Sequence, residues 1–228
     1  MKLLALDTST EACSVALLHQ DRIIALDEVC PQQHSKRVLP MIDRLLADAG
    51  LSLNALDGIV FGRGPGSFTG VRIGVSVAQG LAFGADLPVY GVSTLAAMAQ
   101  AAVRLYQAKQ IVAAIDARMA EVYLASFSLD ADGVLQQRSA EQAVKPQQLA
   151  PLGLTGEVIA VGTGWQTYAN ALQQVQRARI VTDIMYPSAQ DMLTLAQSAY
   201  AQGQFVSAEN AEPVYVRDEV SWKKLPGR

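Results

Sequence analysis

Apolar residues near the N-terminus come in three short runs, 3–6, 13–18 and 23–29, separated by turn residues. Runs of this length bounded by polar turns predict three consecutive strands. From 35 to 49 the spacing becomes helical, with Val38, Met41, Ile42, Leu45 and Ala49 in phase and Gly50 closing the element. Pro40 inside this stretch predicts a kink or a late start. A strand over 58–61, a helix over 70–83, a strand over 88–92 and a helix over 94–107 follow. Strands alternating with helices imply an α/β fold, a parallel sheet with helices on its faces.

The pattern then begins again. Ala114-Ile115-Asp116 followed by the run 121–128 echoes Ala5-Leu6-Asp7 followed by 11–18. A third strand around Val134, an apolar run over 158–161 and a helix over 188–201 repeat the order of the first block. The loosest stretch is 137–156, with Pro146, Pro151, Gly153 and Gly156. The repeat predicts two subdomains, 1–108 and 109–228, the second smaller and partly degenerate.

Composition narrows the function classes. The 228 residues are 50% apolar and 17% charged, with a net charge of -3. That leaves no global basic field, so any work on RNA would need a partner. No apolar stretch reaches 18 residues and the first run stops at Asp7, so the chain reads as cytoplasmic, with no membrane association. Cys13 and Cys30 form no CxxC pair and read as buried reduced thiols. His19 and His34, the only histidines, sit in no metal-binding spacing, so no metal site is expected.

Four features could carry chemistry. The turn Gly62-Arg63-Gly64-Pro65-Gly66-Ser67-Phe68-Thr69-Gly70 joins a strand to a helix, where backbone N–H groups can hold an anion, although no GK[ST] follows it. Tight packing with Ser67 or Thr69 as a helix cap explains the same residues. Asp7, followed by Thr8-Ser9-Thr10, and Asp116 end matching strands. They could position a hydrated cation across a cleft, as in a kinase or ATPase, or serve as plain turn acids. Gly162-Thr163-Gly164 is a weak nucleotide signal. The segments Val214-Tyr215-Val216-Arg217 and Ser221-Trp222-Lys223-Lys224 mix basic and aromatic residues that could touch RNA or a partner.

The helix after the glycine-rich turn carries Gly74 and Gly80, each costing about 1 kcal/mol relative to alanine. Its apolar residues Val71, Ile73, Val75, Val77, Ala78 and Leu81 spread widely around the axis. One face can meet the sheet while another meets a helix or a second subunit, with Gly70, Gly74 and Ala78 allowing close approach.

Asp7-Thr8-Ser9-Thr10, the run from Gly62 to Gly74, Gly91-Val92-Ser93-Thr94-Leu95, Ile115-Asp116-Ala117-Arg118 and Glu212-Pro213-Val214-Tyr215 together closely resemble the bacterial TsaB (YeaZ) family. The resemblance implies an actin/Hsp70-like (ASKHA) fold of duplicated ribonuclease-H-like domains. It also implies a scaffold role in making threonylcarbamoyladenosine beside the anticodon of tRNAs. The implied partners are TsaD, the catalytic paralogue, and TsaE, an ATPase; alone, the chain would be a homodimer. It would carry no cofactor of its own, with ATP or ADP at the junction with TsaD, and would reach tRNA only through the complex.

Where TsaD-type proteins read Gly-Val-His-His-Leu-x-Gly-His, this chain has Thr94 and Met98 at the metal-binding histidines. A hydroxyl and a thioether are poor ligands for metals that imidazole suits, so no catalytic residue is expected here. Missing ligands and the absence of an evident nucleophile also count against a metallopeptidase. The family further implies a partner surface on the first helix and the helix after the glycine-rich turn, with Val38, Met41, Leu45, Val71, Gly74, Val75 and Ala78 as contact candidates. Candidates for nucleotide or anion contact are Asp7, Thr8, Ser9, Gly64, Gly66, Asp116 and Arg118.

Overall fold

A computed structural model describes residues 1–217. The first block forms β1 (Leu3–Asp7), β2 (Ala12–His19), β3 (Arg22–Val29), α1 (His34–Ala49), β4 (Gly58–Gly64), α2 (Phe68–Ala85), β5 (Val89–Ser93) and α3 (Thr94–Tyr106). The second forms β6 (Gln110–Arg118), β7 (Glu121–Leu129), β8 (Leu135–Gln137), β9 (Gln142–Val144), β10 (Ile159–Val161), α4 (Thr163–Val175), β11 (Arg179–Ile180) and α5 (Ala189–Ala201).

The sheets run β3-β2-β1-β4-β5 and β11-β10-β6-β7-β8, with β9 also paired to β7. In both, the first two strands of the block are antiparallel and the first pairs in parallel with a later strand. Read in matching directions, the two orders are the same, which is the duplicated actin/Hsp70-like fold. The second sheet is not reduced in strand number, having six strands to five; its late strands are shortened instead. The expected strand around Val134 is split into β8 and β9, which pair with opposite ends of β7.

Alternating apolar positions explain the layers. On β1, Leu4 and Leu6 face a core with α1 and α2, while Leu3 and Ala5 face a core with α5. On β6, Ile111, Ala113 and Ile115 face α3, while Val112 and Ala114 face Trp165 and Leu172 of α4. A strand apolar on both faces belongs at the centre of a helix-covered sheet. The packing crosses the division at residue 108. α5, from the second block, covers the first sheet, whereas α3, from the first, contributes Leu95, Met98, Ala99 and Ala102 to the second. α3 and α5 touch between the sheets, and Arg104 pairs there with the buried Asp191.

α1 starts at His34 and runs through Pro40 to a left-handed Gly50 cap, so the proline does not delay it. α4 was not anticipated by the sequence pattern; Tyr168 leaves helical dihedrals inside it, which disrupts the spacing. Cys13 and Cys30 are free and buried. Among the described residues no helix is long and apolar enough to cross a membrane. Ser221-Trp222-Lys223-Lys224 lies outside the described residues.

Candidate functional site

The glycine-rich turn meets the turn after β1, and the chain's own atoms fill it. Three of its four glycines lie where a side chain would strike a fixed group: Gly62 against the Asp7 carboxylate, Gly66 against the Ser9 carbonyl and Gly70 against the Thr8 carbonyl. The Ser67 N–H donates to the Ser9 carbonyl at 2.7 Å, and the Thr8 hydroxyl donates to the Gly70 carbonyl at 2.6 Å. Ser67 caps α2 by accepting from the Gly70 N–H. The helix start that could hold an anion is therefore occupied by oxygens of residues 8 and 9.

Asp7, Thr8 and Ser9 are each 1% exposed. Gly64 is buried as well, under the Val214 carbonyl. Asp7 lies beneath Ser9 instead of lining a cleft, and its carboxylate accepts from the Ser9 N–H and hydroxyl. Burial pushes its pKa from 3.8 up to about 6, against the lowering effect of those hydrogen bonds. Between about pH 4 and 6 the folded chain holds a proton that the unfolded chain has lost, so stability falls as pH rises through this window. The full cost, about 3 kcal/mol for two pH units, then persists above it. Asp7→Asn is expected to raise neutral-pH stability by about 1–3 kcal/mol and to remove this part of the slope. Urea unfolding of both proteins across pH checks it; parallel curves would contradict it.

Thr94 and Met98 are fully buried. The Thr94 hydroxyl lies 3.2 Å from that of Ser9, and the Met98 methyl packs at Gly162. These donors do not fit a metal of the kind histidines hold. Gly162 and Gly164 press on Ala114, and Thr163 accepts from the Asp116 N–H, so this motif too is used for packing.

In the second block Asp116 remains half-buried and Arg118 exposed. Arg118, Met119 and Ala120 all have φ near +60°, a left-handed tip without glycine. Arg118 binds Asp116 at 3.4 Å and reaches Glu11 at 2.9 Å, so the two matching turns do face each other. The bridge is Glu11–Arg118, a pair the sequence pattern did not single out. Among the described residues Asp7 and Asp116 share no hydrogen-bonding partner: Asp7 is held by Ser9, and Asp116 by Thr163, Arg118 and Tyr168.

Residues 211–217 cross this face as a strap. The Val214 N–H donates to the Arg63 carbonyl at 2.7 Å, Tyr215 packs on Phe68, and Arg217 reaches the Ala117 carbonyl and Glu121. The basic and aromatic residues of the segment 214–217 thus contact the chain itself.

The seven contact candidates on the helices are corrected by their burial. Val38, Met41, Leu45, Val71, Val75 and Ala78 lie in the core under the first sheet, and Gly74 packs on the Thr8 hydroxyl. Their apolar spacing marks the inward faces. Outward on α2 lie Phe68, Arg72, Ser76, Gly80, Phe83 and Gly84. Among the described residues nothing stands within 4 Å of a Cβ placed on Gly80 or Gly84, so no contact there explains them.

The family described as TsaD, tRNA N6-adenosine threonylcarbamoyltransferase, matches residues 26–225. Over its whole length the chain is 46% identical to the tRNA threonylcarbamoyladenosine biosynthesis protein TsaB of Escherichia coli, also covered in full. It is 51% identical to the protein of that name from Haemophilus influenzae, across 100% of this chain and 98% of the relative. Among solved structures, YeaZ from Pseudomonas aeruginosa superposes with a TM-score of 0.88 at 47% identity, covering 94% of this chain and 99% of that one.

Proposed function

Since this chain belongs to the TsaB (YeaZ) family of tRNA threonylcarbamoyladenosine biosynthesis proteins, we propose that it acts in that modification as a non-catalytic subunit that binds TsaD and works with TsaE. The observation that carries this reading is a contrast between glycines. Those in the turns that would hold a nucleotide are filled by the chain itself, whereas Gly80 and Gly84 on the outer face of α2 are open. An exposed helix glycine costs about 1 kcal/mol relative to alanine, and close approach of another helix is what would offset it.

The partner face is then the outer stripe of α2, where Phe83 is 80% exposed, together with the neighbouring outer face of α1. On this reading the chain pairs with a second copy when alone and exchanges that copy for TsaD. ATP or ADP binds at the junction with TsaD, and tRNA is reached only through the complex in the cytoplasm. An ATP-using enzyme built on Asp7 and Asp116 is disfavoured because Asp7 is buried and hydrogen-bonded within its own turn.

Reconstitution tests the proposal. TsaD, TsaE and a source of threonylcarbamoyl-adenylate are expected to modify tRNA only when this chain is added, and the chain alone is expected to hydrolyse no ATP. Full modification in its absence, or ATP turnover by the isolated chain, would refute the scaffold role.

A further inference from the structure

The outer stripe of α2 begins with an arginine held in place from two sides. The Arg72 guanidinium lies 3.7 Å over the Phe68 ring, and its Nε–H donates to the Tyr215 hydroxyl at 2.8 Å. Phe68 and Tyr215 pack together with centroids 5.6 Å apart, yet they stay 51% and 45% exposed. Neither Nη group has an acceptor among the described residues, and no carboxylate pairs with Arg72 there.

The other arginines of this face differ. Arg63 is neutralised by Glu141, Arg118 by Glu11 and Asp116, and Arg217 by Glu121. A phosphodiester backbone calls for a track of uncompensated cations. One immobilised guanidinium with its end-on fork open, framed by exposed aromatic rings, instead suits a single carboxylate on a protein surface, which it can bind bidentately. Arginine and tyrosine fixed in this way lose little side-chain freedom on binding, as residues that dominate interfaces tend to do.

We infer that Arg72, positioned by Phe68 and by Tyr215 of the strap, receives an aspartate or glutamate side chain of the partner protein that docks on α2. The inference rests on the partner-subunit reading above and extends its surface to the C-terminal strap, which no helix pattern marks.

Calorimetric titration of the full chain with TsaD, at low and high salt, tests it. Arg72→Ala is expected to weaken binding about 30-fold or more and to flatten the salt dependence. Arg72→Lys recovers only part, because an ammonium cannot make two parallel hydrogen bonds. Tyr215→Phe, which keeps the ring and removes the acceptor, gives a several-fold loss. The unfolding midpoint of the isolated chain should move little in all three, since an exposed cation–π contact contributes little to stability. If Arg72→Ala binds TsaD like the unaltered chain while Gly80→Arg does not, the carboxylate is refuted and the α2 face stands. If both bind normally, the face itself is wrong. Unchanged protein association with weaker tRNA capture by the assembled complex would assign Arg72 to RNA and overturn the inference.

Discussion

Gly62→Ala is expected to destabilise the fold sharply, because the added methyl would occupy the space already taken by the Asp7 carboxylate. Neither side can give way. Gly62 sits in β4, while the Asp7 carboxylate is tied to the Ser9 N–H and hydroxyl in a fully buried turn. Overpacking a core commonly costs 1–3 kcal/mol, and displacing a hydrogen-bonded carboxylate adds to it; a loss of about 4 kcal/mol would consume much of the stability of a typical domain. The double variant Asp7→Ala with Gly62→Ala should recover a good part, since removing the carboxylate frees the space. Urea unfolding of the single and double variants measures both. A single variant as stable as the unaltered chain would show that the two turns do not interlock.

This contact also marks how far the sequence reaches. The β1 and β2 runs, the renewed pattern from Ile111 and the helix ending at Gly50 are local, and period and punctuation suffice to place them. Spacing likewise shows that 62–70 demands glycine. It does not show what stands opposite, because Asp7 and Gly62 are 55 positions apart and meet only through the pairing of β1 with β4. An anion and the chain's own carbonyl oxygens ask the same thing of the backbone, so the cradle and the packing reading were indistinguishable until the partners of Ser67 and Gly70 were known.

The helix faces failed for a different reason. α1 has one apolar stripe, and Val38, Met41 and Leu45 on it are simply the core. α2 is apolar over most of its circumference, so periodicity could not choose an outward side, and the glycine against Thr8 looked the same as the glycines facing solvent. Gly74 and Gly80 are separated by function only in three dimensions. The former makes room for a hydroxyl within the chain; the latter meets nothing among the described residues.

That separation yields the second large effect. In the isolated chain Gly80→Ala should stabilise α2 by about 0.5–1 kcal/mol, since an exposed helix interior gains propensity and nothing within 4 Å opposes the methyl. Gly80→Arg should likewise leave the isolated chain folded. Both changes place atoms where a partner helix would approach. Alanine is expected to weaken association with TsaD modestly and arginine to abolish it, and with it tRNA modification, because a helix–helix contact made through glycine has no space for a long charged side chain. Thermal unfolding of the isolated variants, gel filtration with TsaD and a modification assay give the three readings. Stability that rises or holds while association falls is the signature of a surface glycine kept for a partner. An arginine variant that unfolds would move the cause back inside the chain, and one that still forms an active complex would mean the partner docks elsewhere.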